Sequence, residues 1–350
     1  MKRKIAIFAL SCLSWSTVAH AERLPLKLYT TADGLPHNEI NRIVRDSRGF
    51  LWFCTADGLS RFDGYTFTNY GIDEGLPHGN ITDLLETRAG QYWLATDGGL
   101  VRFDPKGMPA NRMTPAAGSI SAGTLMFTVV RPNDEDRLSA VVTALLEDRS
   151  GIIWAGTRKG LYRLEQTGGR FALQPVDIGM PSKSQFVSDL LEDRRGTLWV
   201  AGAELCRRWP DGSAACYSDR HGLPLYGIHL SLLEDHLGRL WAGTRGRGFF
   251  RFSADDTHTP PVVERTYSAR DGFPTSWIFQ VFESTDHRYW VASNTGLFQF
   301  FADRREQGEL FSRLHCEERV ELSRNHDASG RPRWQSLAGH EQYGGHEADT

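Results

Sequence analysis

Short apolar runs recur along the whole chain, each followed by a turn rich in Gly, Asp or Pro, and none is joined to the next by a stretch of helical period. The unit reads the same way several times over. It opens with an inner strand such as ITDLLE from Ile81, VTALLE from Val142 or VSDLLE from Val187. A turn follows in which Asp bonds its own backbone and Gly takes positive φ. After that come a strand carrying Trp, a tight turn (TADGL from Thr55, TDGGL from Thr96, TRKGL from Thr157, SNTGL from Ser293), and a third strand such as LSRF, LVRF or LYRL. An outer strand such as FTNY, ending at Tyr70, and a Gly-Leu-Pro link (from Asp33, Glu74 and His221) or its Gly-Phe-Pro counterpart (from Asp271) close the unit. Every connection is a hairpin or a short link, which predicts an all-β class.

Six copies stand out through their tryptophans, Trp52, Trp93, Trp154, Trp199, Trp241 and Trp290, spaced 41, 61, 45, 42 and 49 residues apart. Periods of about 40–50 residues made of short strands predict the blades of a β-propeller. The 61-residue interval carries a Pro- and Gly-rich insertion, read as an exposed loop from Lys106 to about Ser121. LKLYTTADGLP from Leu26 aligns with TFTNYGIDEGLP from Thr66, so the chain enters with an outer strand that has no inner partners before it. Such a strand is expected to close the ring by completing the last blade. Trp334 lies 44 residues after Trp290, in a stretch where Arg, His and Glu replace apolar strands. Residues 301–350 are therefore expected to be either a degenerate seventh blade or a truncated tail.

Lys2, Arg3 and Lys4 precede the apolar run Ile5–Val18, which ends in Ala19-His20-Ala21. This predicts a signal peptide over residues 1–21 and a propeller over 22–300, hence a periplasmic or secreted protein. The run of 14 residues is short of the ~20 that span a bilayer, so no membrane span is expected after cleavage. Removing those three cations from 40 Lys+Arg leaves 37 against 43 Asp+Glu, a net charge of −6 that disfavours nucleic acid and anionic lipid.

The succession of DGLPHN, DSRGFLW and TADGLSRFDGY closely resembles the two-component regulator propeller repeat, over residues 26 to about 300. The resemblance implies an extracytoplasmic ligand-sensing propeller like those of hybrid histidine kinases. In many relatives two seven-bladed rings precede a β-sandwich, a membrane span and an output domain. None of those later elements is legible in residues 301–350, so the chain is expected to lack its own output.

A residue type that recurs at one place in every blade serves the blade, because one central ligand has no use for all copies. On that test the Trp series is core, Asp46, Asp148, Asp193 and Asp235 are turn residues, and Arg61, Arg102, Arg163, Arg207 and Arg251 pair with nearby turn carboxylates. Candidates for binding lie instead where the position is shared and the residue varies, on loops around one mouth of the channel. The links supply His37, Asn38, His78, Asn80, Tyr226 and Trp277. Tight turns supply Asp57, Asp97, Arg158, Lys159, Glu204, Arg245, Arg247 and Asn294, and the tops of inner strands supply Asn41, Arg42, Asp83 and Asp189. Acidic turns come first and basic ones later, which predicts an electrically lopsided mouth. Polar groups interleaved with aromatics suit an oligosaccharide, the preferred ligand class.

No hydrolase, metalloprotease, P-loop or dinucleotide motif occurs, and no metal or other cofactor is expected. A propeller hydrolase acting on polysaccharide would need two facing carboxylates, for which Asp83 and Asp189 are the nearest pair. The three readings are thus a sensor propeller, such an enzyme, and a protein-interaction scaffold, with a membrane-bound signalling protein as the partner of the first. Cys206 and Cys216 flank the turn at Pro210–Gly212, which predicts a cross-strand disulfide in an oxidising compartment. Cys54 is expected to be a buried filler.

Overall fold

The architecture comes from a computed structural model, which describes residues 27–109, 125–132, 136–181, 185–225, 230–254, 259–302, 310–313 and 334–335. Six four-stranded antiparallel sheets follow one another in chain order. Blade 1 is β1 (Glu39–Arg45), β2 (Leu51–Thr55), β3 (Gly58–Phe62) and β4 (Phe67–Tyr70). Blade 2 is β5 (Ile81–Glu86), β6 (Tyr92–Thr96), β7 (Gly99–Phe103) and β8 (Phe127–Val130). Blade 3 is β9 (Val142–Glu147), β10 (Ile153–Thr157), β11 (Gly160–Thr167) and β12 (Arg170–Val176), and blade 4 is β13 (Val187–Glu192), β14 (Leu198–Gly202), β15 (Leu205–Arg208) and β16 (Ala214–Tyr217). Blade 5 is β17 (Leu230–Glu234), β18 (Leu240–Thr244), β19 (Phe249–Ser253) and β20 (Val262–Tyr267), and blade 6 is β21 (Ile278–Glu283), β22 (Tyr289–Ser293), β23 (Gly296–Phe300) and β24 (Phe311–Arg313). The inner strands pack side by side in that order.

The apolar core lies between blades. Trp52 packs with Tyr92 and Phe103 of blade 2, and Trp241 with Tyr289 and Phe300 of blade 6, at ring-centroid distances of 5.6–5.8 Å. Trp52, Trp93, Trp154, Trp199 and Trp241 are all 2% exposed or less. Trp290 is only half-buried, because it stacks with Phe282 on the face of blade 6 that no further blade covers among the described residues.

Each first hairpin is organised by its leading residue. Asp46, Asp148, Asp193 and Asp235 each accept two backbone N–H groups, from two and four residues ahead, on one oxygen. The other oxygen accepts the indole N–H of the Trp six residues on, at 2.8–2.9 Å. Recurrence alone identifies these aspartates as turn residues; the bond to Trp adds that they also fix the core. Blade 2 has Thr87 instead, which keeps one backbone contact and leaves Trp93 Nε1 buried without a partner. Thr87→Asp should therefore raise stability by about 1 kcal/mol by supplying that acceptor. Chemical denaturation of the two proteins checks this, and an unchanged or lowered midpoint would show that the pocket cannot accept the carboxylate.

A second set of bonds joins the blades. The backbone N–H that follows each leading turn residue (Ser47, Arg88, Arg149, Arg194, His236) donates to the Glu ending the next blade's inner strand (Glu86, Glu147, Glu192, Glu234, Glu283) at 2.6–2.9 Å. Blade 1 holds Arg45 at that place, so the seam before it is made differently.

The strand arginines depart from expectation. Each lies directly across from its blade's Trp, and four of the five lie over aromatic rings instead of reaching a turn carboxylate. Arg207 lies 4.4 Å from the Trp209 ring, Arg61 4.7 Å from Phe50 and Arg102 5.6 Å from Phe171. Arg163 and Arg251 pair with the strand residues Glu165 and Glu264.

Ring closure by the N-terminal strand is not shown among the described residues. Residues 27–30 join no sheet, and blade 6 takes its outer strand from Phe311–Arg313. Tyr29 instead packs on Phe62 and Phe67 of blade 1, at 5.1 and 5.6 Å. A two-residue segment, β25 (Trp334–Gln335), pairs antiparallel with β1 at Glu39 and Ile40. Most of the insertion in blade 2, and Cys316, fall outside the described residues.

Cys206 and Cys216 face each other on β15 and β16 and form a disulfide, while Cys54 stays a buried thiol. Closing a loop of this length constrains the unfolded chain by roughly 2–3 kcal/mol. Cys206→Ala with Cys216→Ala should lower stability by that order in denaturant titrations, and intact mass before and after alkylation reports the thiols.

Candidate functional site

Links and tight turns do share one face. The turn of blade 1 bonds the link into blade 2 through Gly58 N–H to Gly79 O, at 2.7 Å. At blades 5 and 6, Gly246 donates to Ser276 O and Asn294 to Trp277 O. A Cβ on Gly79 would lie 2.9 Å from Asp57 Oδ1, and one on Gly98 3.2 Å from His78 Cβ, so this rim is closely packed.

Several expected binding residues serve this packing. His37 and His78 accept the backbone N–H two residues ahead through Nδ1, and Thr275 does the same through Oγ1 in blade 6. By the recurrence test they are link residues. Asn38 accepts Thr31 N–H, and Asn294 accepts the Thr275 hydroxyl. Asn41 donates to Asn80 Oδ1 and Ile81 O of the next blade, as Thr82 and Thr143 donate to Val142 O and Val187 O. Lys159 pairs with Asp136 at 3.0 Å, a partner that the spacing of the repeat did not reveal. Asp57 and Arg247 are exposed on the rim, Asp97, Arg158, Glu204, Arg245 and Trp277 are half-buried, and Tyr226 lies outside the described residues.

The channel itself is lined by the inner-strand residue that pairs with the position two after each blade's Trp: Arg42, Asp83, Ala144, Asp189, Ser231 and Gln280. The ladder shifts register at this point in β1, β5, β9, β13 and β21 but not in β17, and backbone N–H groups next to it bond side chains. Asp83 takes up two of them, Leu84 N–H and Leu145 N–H of blade 3, and Asp189 takes up Leu190 N–H and Leu232 N–H of blade 5. Between them sits Arg42, with Nε 3.0 Å from Asp83 and Nη1 3.9 Å from Asp189. Burial raises the pKa of both carboxyls, opposed by the guanidinium, and Asp83 in turn raises that of Arg42. Both carboxylates are thus committed to backbone N–H groups and one cation. That is a poor arrangement for a general acid and a nucleophile. What remains open to a ligand is the half-exposed guanidinium, whose five donors exceed what its two partners take up. Ser231 at the same register of blade 5, which the sequence reading did not single out, has a buried hydroxyl without a partner.

The Two component regulator propeller model matches residues 34–57, 75–98, 137–159 and 181–204, each spanning a link, an inner strand and the Trp strand. The chain carries two-component regulator propeller repeats. A stretch of 71 residues is 38% identical to Histidine kinase P4 of Formosa agariphila, covering 19% of this chain and 5% of that protein. The extracellular domain of the putative hybrid two component system BT3049 from B. thetaiotaomicron superposes with a TM-score of 0.59 at 19% identity, over 89% of this chain and 40% of that one. Virginiamycin B lyase from Staphylococcus aureus shares the fold too, with a TM-score of 0.58 at 10% identity over 87% of this chain and 97% of that one. The chain thus spans 5% of that histidine kinase and 40% of that extracellular domain. Among the described residues no helix is long and apolar enough to cross a membrane.

Proposed function

We propose that this chain is an extracytoplasmic sensor propeller that binds an oligosaccharide at the link-and-turn mouth and passes the signal to a membrane-bound signalling protein. One observation carries the reading. The channel register differs from blade to blade, and it presents a half-exposed guanidinium held in place by two carboxylates. Sugar hydroxyls accept from such donors, and the half-buried Trp277 on the rim offers an apolar face for stacking. The signal peptide over residues 1–21 supports the compartment, and the regulator repeats support the role.

The ring is further proposed to have seven positions. Tyr29 meets Phe62 at 5.1 Å as Tyr70 meets Phe103 at 5.0 Å and Tyr267 meets Phe300 at 4.8 Å. That parallel supports residues 27–30 as the outer edge of a seventh position, with Trp334–Gln335 beside β1 on its inner side.

Thermal unfolding of residues 22–350 with a panel of oligosaccharides tests the binding role. A ligand at about 100 times its Kd adds about 2.7 kcal/mol to the folded state and raises the Tm. The rise, measured against each protein's own ligand-free Tm, should be largely abolished in Arg42→Met with Trp277→Ala. No rise with any sugar would move the reading to a protein partner, and turnover of a polysaccharide would move it to an enzyme.

A further inference from the structure

On the face opposite the mouth, the last inter-blade latch is built unlike the other four. At the first four, the residue after the leading turn residue is Ser47 or an arginine, and Arg88, Arg149 and Arg194 each reach across to backbone carbonyls of the next turn. At the seam between blades 5 and 6 that residue is His236. The fourth residue of the next turn also changes. Gly49, Gly90, Gly151, Gly196 and Gly238 hold φ between 74° and 90° there, whereas blade 6 has His287 at φ 62°, the one non-glycine residue with positive φ among the described residues. A side chain in that conformation costs on the order of 1 kcal/mol. Both departures converge on one carboxylate. His236 Nδ1 and His287 Nδ1 each contact Glu283 Oε1, the second at 2.9 Å, and the imidazole rings are 4.0 Å apart. The three donor atoms lie within 4.8 Å of one another.

We propose that His236, Glu283 and His287 form a site for a divalent first-row transition metal of the zinc type, pinning the first hairpin of blade 6 to that of blade 5. Two imidazoles and one carboxylate suit Zn²⁺ or Co²⁺ and not the all-oxygen preference of Ca²⁺ or Mg²⁺. The histidine side chains are 34% and 60% exposed, which leaves room for water in a fourth position. Glu283 Oε2 stays bonded to the His236 backbone N–H, a support that fixes the ligating oxygen. On binding, each ring offers Nδ1 to the metal as its neutral Nε2–H tautomer: an imidazolium releases its Nδ1 proton to solvent, and a neutral Nδ1–H ring exchanges that proton for one at Nε2 with no net release. The site does not depend on the sensing role, and it strengthens the blade that has no neighbour beyond it among the described residues.

The repeat itself supplies variants that keep the fold: His236→Arg and His287→Gly restore residues the other latches use. Metal-free wild-type protein is expected to take up one more equivalent of Co²⁺ than the double variant, with the visible absorption of a four-coordinate site. Zn²⁺ should raise its Tm by on the order of 5 °C, with no rise in the double variant. In chelator, His287→Gly should unfold no earlier than wild type, because glycine relieves the positive φ. Histidines elsewhere in the chain bind equally in both proteins and cancel in the difference. Equal uptake by wild type and variants, or no uptake by either, overturns the assignment.

Discussion

Asp235→Ala should cost about 4 kcal/mol of stability, enough to remove much of the 5–15 kcal/mol typical of a folded domain. Asp235 is fully buried and accepts five hydrogen bonds, from Leu237 N, Arg239 N, Arg239 Nε, Trp241 Nε1 and Tyr289 Oη, at 2.6–3.0 Å. Alanine would leave a buried indole N–H unpaired and strand the Arg239 guanidinium, whose side chain is only 18% exposed. Asp235→Asn keeps the volume and one acceptor but turns an amide donor toward the indole, so about 3 kcal/mol is expected from it. Burial pushes this carboxyl up in pKa, but the bonds from Trp241 and Arg239 outweigh burial and hold it below the ordinary value. A depressed carboxyl contributes its stability above the unfolded pKa of about 3.9 and loses it as pH falls through the folded value. The gap between wild type and Asp235→Asn in denaturant midpoint should therefore be constant from pH 8 to about 5 and close in acid. A gap that persists unchanged at low pH would mean that the carboxylate charge contributes nothing. Burial also lifts Tyr289 in the same hub to about 12, so its hydroxyl keeps its proton across the range of that experiment.

This hub also shows what the sequence could and could not reveal. The turn Asp and the Trp six residues later were both plain as repeats, because each recurs at a fixed offset. Their bond was not, since a Trp strand can face either neighbour and only the register decides. The LLE endings behave the same way: four identical copies mark them as inner strands, but their role as acceptors for the previous blade depends on how blades stack. At the mouth the recurrence test failed for His37 and His78. The chemistry that recurs there is an acceptor two residues before a backbone N–H, and His and Thr both supply it. For Asp83 and Asp189 the missing signal was the bulge, which a period-2 reading does not register and which turns the side chain toward neighbouring N–H groups. The arginines misled for a geometric reason, since a side chain opposite Trp on the same sheet face finds a ring before it reaches the turn.

Arg42→Met should lower stability by about 2 kcal/mol at pH 8, through the carboxylates it leaves behind rather than through lost packing. Asp83 is 3% exposed, and with the cation gone its charge is held only by two backbone N–H groups. Arg42 is itself half-exposed, so water shares the pair and the cost falls below that of a fully buried ion pair. Burial already holds the Asp83 carboxyl above its ordinary pKa, and removing Arg42 raises it further. With the folded pKa above the unfolded value, the native state binds the extra proton between the two, so stability falls as pH rises through that window. In Arg42→Met the window reaches toward neutrality, so the deficit should be largest at pH 8 and shrink steadily toward pH 5. Asp83→Asn placed on Arg42→Met should recover much of the loss at pH 8, since it removes the unpaired charge while keeping an acceptor. A deficit independent of pH, or no recovery in the double variant, would show that Arg42 matters through packing. The pH-dependent outcome would mean that the guanidinium is held by charges it must keep neutralised, so a ligand can use only its remaining donors and cannot draw it out of the channel.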